Sequence, residues 1–146
     1  MIGLIQRVDS ASVRVNNDIV GEISNGILLL LGVQKGDDAI AAHRLVERIL
    51  SYRIFIDSTG RMNQSLLDQR GELLIVPQFT LAANTKKGKR PSFSSSAPPE
   101  RAEELFHIVC TKAQEQLSHK LQTGIFGAEM KVALINDGPA TFYLES

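Results

Sequence analysis

The run Ile27-Leu28-Leu29-Leu30-Leu31-Gly32-Val33 constrains the architecture more than any other stretch of this chain. It is continuously apolar rather than alternating, follows the tight-turn pair Asn25-Gly26 and has the length of a strand, as expected of a strand buried on both faces. The segments around it are extended as well. Ile2 to Val15 is rich in β-branched and apolar residues, and Asn16-Asn17-Asp18 is turn chemistry leading to a second extended run, Ile19 to Ile23, so the chain opens with a hairpin.

Helical periodicity appears twice. Between Asp38 and Tyr52 the apolar residues Ala42, Leu45, Val46, Ile49 and Leu50 share one face, with Asp37 or Asp38 placed to cap the first amides. Ala102, Leu105, Phe106, Val109, Ala113 and Leu117 mark the second helix, with Pro98-Pro99 suited to its first turn and Ser96 or a neighbour as its cap. Between them, Arg53 to Ile56 is short and extended, Asp57-Ser58-Thr59-Gly60 turns the chain, and Glu72 to Leu81 is strongly β-forming up to Gln78-Phe79-Thr80-Leu81. Ala128, Met130, Val132 and Leu134 alternate with polar or small neighbours in a half-exposed strand, which Asn136-Asp137-Gly138-Pro139 interrupts before Thr141 to Leu144 resumes it. The order predicts a single α+β domain over residues 1–146, made of packed, mainly antiparallel sheets in a barrel-like arrangement with two helices on one side.

Composition excludes several function classes. Apolar residues make up 43% and charged residues 22%, the balance of a folded globular chain. Lysine plus arginine and aspartate plus glutamate number 16 each, so any contact with nucleic acid must be local. Cys110 is the only cysteine, which precludes an intramolecular disulfide and fits a reducing compartment. The first residues lack the design of a secretion signal and the run Ile27 to Leu31 is far too short to cross a bilayer, so the expectation is a cytoplasmic protein without membrane contact.

No nucleophile and base announce themselves. His43, His107 and His119 fall in the helical segments without metal-ligand spacing, and Cys110 reads as a small buried side chain, so neither metal nor cofactor is expected. Lys86, Lys87, Lys89 and Arg90 crowd the longest loop, Ala82 to Pro99, where cations could neutralise phosphates. Two further segments are poorly explained by packing. In Pro77-Gln78-Phe79-Thr80-Leu81, polar atoms stand at the end of an apolar strand. In Asn136-Asp137-Gly138-Pro139-Ala140-Thr141, Gly permits close backbone approach and Gly-Pro is a bond for which the cis form is accessible.

Together these two segments resemble the signature pair of the D-aminoacyl-tRNA deacylase family, Ser-Gln-Phe-Thr-Leu and Asn-Xaa-Gly-Pro-Xaa-Thr, in order and spacing. The opening Met-Ile-Gly-Leu-Ile-Gln-Arg-Val, Arg53-Ile54-Phe55, Gly88-Lys89-Arg90-Pro91-Ser92-Phe93 and Gln122-Thr123-Gly124 extend the resemblance over the whole chain. It implies a hydrolase that cleaves the ester of D-aminoacyl-tRNA and rejects L-esters, with glycyl esters as further substrates because glycine has no side chain to reject. It also implies a homodimer in which a cis Gly138-Pro139, held by Arg7, reaches into the partner's pocket and excludes L-side chains by main-chain contact. Backbone amides around Phe79 and Thr80, beside Gln78, would orient the ester carbonyl while the terminal 2′-hydroxyl of the tRNA helps activate water; Thr80 as a nucleophile is the competing mechanism. One departure stands out: Pro77 occupies the family's serine position, removing a hydroxyl and an N–H. The rival reading is a non-catalytic tRNA-binding dimeric module.

Overall fold

The computed structural model describes residues 1–86 and 88–146. Lys87, one of the four cations assigned to phosphate contact, lies outside the described residues.

The organising strand is β1 (Ile2–Val15). Its second half pairs antiparallel with β2 (Asp18–Ile23), through a turn in which Asn16 and Asn17 both have positive φ, 50° and 70°. Two consecutive positive values suit the right-handed twist of a tight hairpin, and Asn tolerates them better than most residues. The first half pairs antiparallel with β3 (Gly26–Gly32). Gly26 is fixed by proximity: a Cβ there would lie 1.9 Å from the carbonyl oxygen of Glu72.

The chain leaves β3 through α1 (Ala39–Ser51), whose cap is Asp38, accepting from the Ala41 amide. A small two-stranded sheet follows, β4 (Phe55–Ile56) with β5 (Met62–Gln64), and then α2 (Leu66–Gln69), capped reciprocally by Ser65 and Asp68. β6 (Glu72–Pro77) returns beside β3 in parallel. A further helix, α3 (Pro99–Leu117), and a short turn lead to β7 (Leu121–Thr123), parallel to β6. Finally β8 (Lys131–Glu145) runs antiparallel to the outer side of β1.

The architecture is α+β, as expected, but its main sheet is mixed. All three partners of β1 are antiparallel, whereas β3–β6 and β6–β7 are parallel, because α1 and α3 carry the chain back to the end where the preceding strand began. Both faces of the sheet are covered. Ile27, Leu29 and Leu31 of β3 and Leu73 and Ile75 of β6 face α1 and α3, while Leu28, Leu74 and Val76 join Val8, Ala11, Val13 and Ile23 in a second core made by the curled sheet itself. Each such buried aliphatic side chain contributes about 1.5–3 kcal/mol, so the two-sided burial of the apolar run commits the topology.

Three local expectations are corrected. β6 ends at Pro77, and Phe79–Ala82 is a 3-10 turn rather than the end of a strand. α3 begins after Pro98 with no side-chain cap, and the Ser96 hydroxyl instead faces the Phe79 carbonyl. The last strand starts at Lys131, because Ile125–Ala128 forms a turn around Gly127 at φ +74°.

Candidate active site

The first signature segment sits where the sheet hands over to a tight turn. The Gln78 N–H still belongs to the ladder, donating to the Leu31 carbonyl at 2.7 Å. Beyond it the chain coils: the Leu81 amide donates to the Gln78 carbonyl at 3.2 Å and the Ala83 amide to the Thr80 carbonyl at 3.1 Å. The Phe79 and Thr80 N–H groups open this turn and have no acceptor among the described residues. Of the four amides of this segment, then, one is committed to the sheet, one to the turn, and those of Phe79 and Thr80 have no acceptor among the described residues. The Thr80 hydroxyl accepts from the Gln78 side-chain amide.

Gln78 and Phe79, but not Thr80, border a cavity of about 430 Å³. Pro77, Gln78 and Phe79 form one wall, Ala97 and Ala102 another, and Phe126, Met130 and Val132 the third. The lining is mainly apolar with a few polar groups at the turn, as expected of a site that binds a small organic group. A wider depression of about 560 Å³, bordered by Cys110, Thr111, Gln114 and Glu115, contains none of the expected residues.

The long loop closes over the same turn. Phe93 packs on Phe79 with ring centroids 5.1 Å apart, although both rings are largely exposed, 42% and 59%. The Ser95 hydroxyl donates to the Ala82 carbonyl, and Asn84 and Ser92 exchange backbone bonds of 2.7 and 3.1 Å. That bridge pinches off the basic tip, where Lys86, Lys89 and Arg90 are exposed and form no ion pair among the described residues.

The second signature segment is elsewhere. Gln6 pairs with Thr141 and Val8 with Asn136, so the residues between 136 and 141 bulge out opposite Arg7. The two polar ends of the motif fasten this bulge: Asn136 accepts from the Ala140 amide at 2.7 Å and donates to the Thr141 hydroxyl at 2.8 Å. Inside it lies Arg7, only 5% exposed, which donates to the Asp137 carbonyl at 3.2 Å and the Ile54 carbonyl at 2.6 Å and pairs with the Asp137 carboxylate at 2.9 Å. The Gly138-Pro139 peptide is cis and exposed. Gly138 has φ +129°, and a Cβ on it would stand 2.9 Å from the Arg7 guanidinium. Neither Gly138 nor Pro139 lines the cavity of its own chain.

The structure therefore places Gln78 and Phe79 in a cavity wall, with Thr80 next to them in the turn but outside the lining, and groups Arg7 with Gly138 and Pro139 at the bulge of the last strand, without joining the two sets in one chain. Sequence reasoning missed the far wall, Phe126 and Met130, and the Ile54 carbonyl that completes the Arg7 socket. Met130 and Val132 carried a signal in their alternation, but it pointed to core rather than cavity.

Residues 4–145 match the family described as D-Tyr-tRNA(Tyr) deacylase. The chain belongs to this family. It is 57% identical over 144 residues to the D-aminoacyl-tRNA deacylase of Pseudoalteromonas translucida and 53% identical over 145 residues to that of Cellvibrio japonicus, covering 99% of this chain and of the relative in each case. Among solved structures it resembles c-Myc DNA Unwinding Element Binding Protein, at TM-score 0.96 and 36% identity over 100% of this chain and 99% of that one. A probable eukaryotic D-amino acid tRNA deacylase shares the fold at TM-score 0.80 and 19% identity, covering 98% of both chains.

Within that family, the departure at Pro77 has a structural account. Because Gln78 directs its N–H toward β3, the preceding position directs its own toward β7, whose pairing with β6 ends at Thr123. Proline thus removes a donor where the ladder is finishing, which is where it is tolerated. The histidines are all exposed on helical segments away from the cavity. Burial pushes the Cys110 thiol up to about 12, so it remains protonated and unreactive at neutral pH.

Proposed function

We propose that this chain hydrolyses the ester between a D-amino acid and the 3′ end of tRNA, releasing both, and rejects the L-ester. The observation that carries this reading is the full-length identity of 57% to a D-aminoacyl-tRNA deacylase, combined with a cavity lined by Phe79 beside a turn whose Phe79 and Thr80 amides have no acceptor among the described residues. An aminoacyl ester is already activated, so positioning and stabilisation of the developing oxyanion supply most of what hydrolysis needs. The Phe79 and Thr80 amides are the donors. Water attacks the carbonyl carbon with help from the terminal 2′-hydroxyl of the tRNA, the bond to the ribose 3′-oxygen breaks, and that oxygen leaves protonated. Among the described residues the Thr80 hydroxyl is hydrogen-bonded by Gln78 and by no base, which favours orientation of the turn over nucleophilic attack.

Chirality is read by a second copy. In this reading Gly138-Pro139 enters the partner's cavity, presenting main-chain atoms where an L-side chain would lie. Support comes from the bulge's exposure, its bracing by Arg7, its absence from its own chain's cavity, and the exposed Val132, Leu134 and Ile135 on the same outer strand. Such an apolar edge is what a homodimer would cover. No helix among the described residues is long and apolar enough to cross a membrane, and the enzyme acts in the cytoplasm, where its substrate is. Lys86, Lys89 and Arg90, with Lys87, hold the phosphates next to the terminal nucleotide.

Purified protein incubated with D-tyrosyl- and L-tyrosyl-tRNA should release tyrosine from the D-ester alone. A Thr80→Ala variant should keep within about tenfold of that rate, as expected for loss of a positioning hydroxyl. Release from neither ester would leave the non-catalytic module as the better reading.

A further inference from the structure

Beside the cavity, on the opposite face of the strand segment that walls it, lies a second cleft of about 200 Å³ lined by Arg14, Asn16, Asn17, Glu129 and Lys131. Side chains of an extended chain alternate, so Met130 and Val132 face the aminoacyl cavity while Glu129 and Lys131 face this cleft. Arg14 of β1 and Lys131 of β8 are direct partners in the ladder. Two cations directly opposite each other destabilise a sheet, and here neither forms an ion pair among the described residues, although Glu129 stands on the rim. Asn16 and Asn17, at the tip of the β1–β2 hairpin, add side-chain amide donors to the same rim.

We propose that this cleft binds a phosphodiester of the tRNA acceptor strand, upstream of the terminal nucleotide, with Arg14 and Lys131 as paired phosphate ligands. The proposal rests on the deacylase reading above. An anion there would offset the repulsion between the two cations, and the cleft shares the 129–132 segment with the cavity as a common wall. Phe79, which lines the cavity, stacks on Phe93 of the loop that also carries Lys86, Lys89 and Arg90. Cations from two separate parts of the chain would then hold the acceptor strand.

The test compares the wild type with Arg14→Gln/Lys131→Gln, using an exposed cation on α1, Arg44→Gln, as control. With D-tyrosyl-tRNA the double variant should raise KM about tenfold without changing kcat, and the log–log salt dependence of kcat/KM should become shallower by about 0.7–0.9, as for the loss of one phosphate contact. With D-tyrosyl-adenosine, which has no upstream phosphate, the two proteins should be indistinguishable. The thermal midpoint should stay level or rise, which a merely structural role would not give. Binding of uncharged tRNA, measured in parallel, should weaken by the same factor. Unchanged tRNA affinity and salt slope would overturn the proposal, as would relief of the difference by low-millimolar inorganic phosphate, which would mark a small-anion site. Absence of hydrolysis by the wild type would instead defeat the deacylase reading, while the binding comparison would still decide the cleft.

Discussion

The two signature segments of this chain are built in opposite ways. Pro77–Leu81 is held by backbone: the sheet secures Gln78 through Leu31, the coil closes on itself, and the Phe79 and Thr80 amides are left over beside a cavity that Phe79 lines. Asn136–Thr141 is held by side chains: Asn136 and Thr141 tie its ends, and the buried Arg7 fills it from beneath. A surface made of main-chain donors tolerates changes of side chain, Pro77 included. A projecting main-chain wedge has no ladder of its own and depends on the few side chains that brace it. The contrast predicts that the bulge is the fragile half of the site.

The largest effect should come from Arg7→Ala. It leaves the Ile54 and Asp137 carbonyls without their charged donor and should cost about 3 kcal/mol in urea denaturation. Any folded variant should lose discrimination between D- and L-tyrosyl-tRNA before it loses hydrolysis; equal loss of both activities would break the division of labour between the segments. Gly138→Ala asks an L-residue to adopt φ +129° with its Cβ 2.9 Å from the Arg7 guanidinium, and should cost about 1–3 kcal/mol with a similar change in selectivity.

Cys110 lies outside both segments and supplies a control. Its thiol titrates at about 12 in the folded chain and near 8.5 when unfolded, so the stability it contributes is complete below pH 8.5 and is lost as pH rises toward 12. Between pH 7 and 10 the wild type should lose about 1–2 kcal/mol relative to Cys110→Ala, while the D-to-L ratio of the variant matches wild type at pH 7. The smallest effect is expected from Pro77→Ser, which restores a donor where β7 has already ended. Stability should move by less than about 1 kcal/mol and kcat/KM for the D-ester by less than about twofold. A large gain in activity would show that the Pro77 position reaches the substrate directly.

Much of this was legible in the residues. The apolar run of β3, the Asn16-Asn17 hairpin, α1 with its Asp38 cap and the face of α3 follow from periodicity and local turn chemistry, which depend on neighbours along the chain. Strand direction did not. Whether β3 and β6 run parallel depends on where a helical crossover docks, and no local pattern records that. The 3-10 turn after Pro77 was missed for a related reason: Gln-Phe-Thr-Leu has strand propensity, and the ladder that would have used it ends where β6 runs out of partners.

The sequence by itself determined the α+β class and the two-sided burial of one strand, because periodicity and residue type encode them locally, and its resemblance to a family singled out the two segments proposed to carry the chemistry. Tertiary structure alone decided that Gln78 spends its amide on the sheet while Phe79 and Thr80 do not, that Met130 and Lys131 open onto different clefts, and that Arg7 lies beneath Gly138. Those facts arise where residues far apart in the chain meet, and a hydrogen-bond donor is free or committed only with respect to the neighbours that folding brings to it.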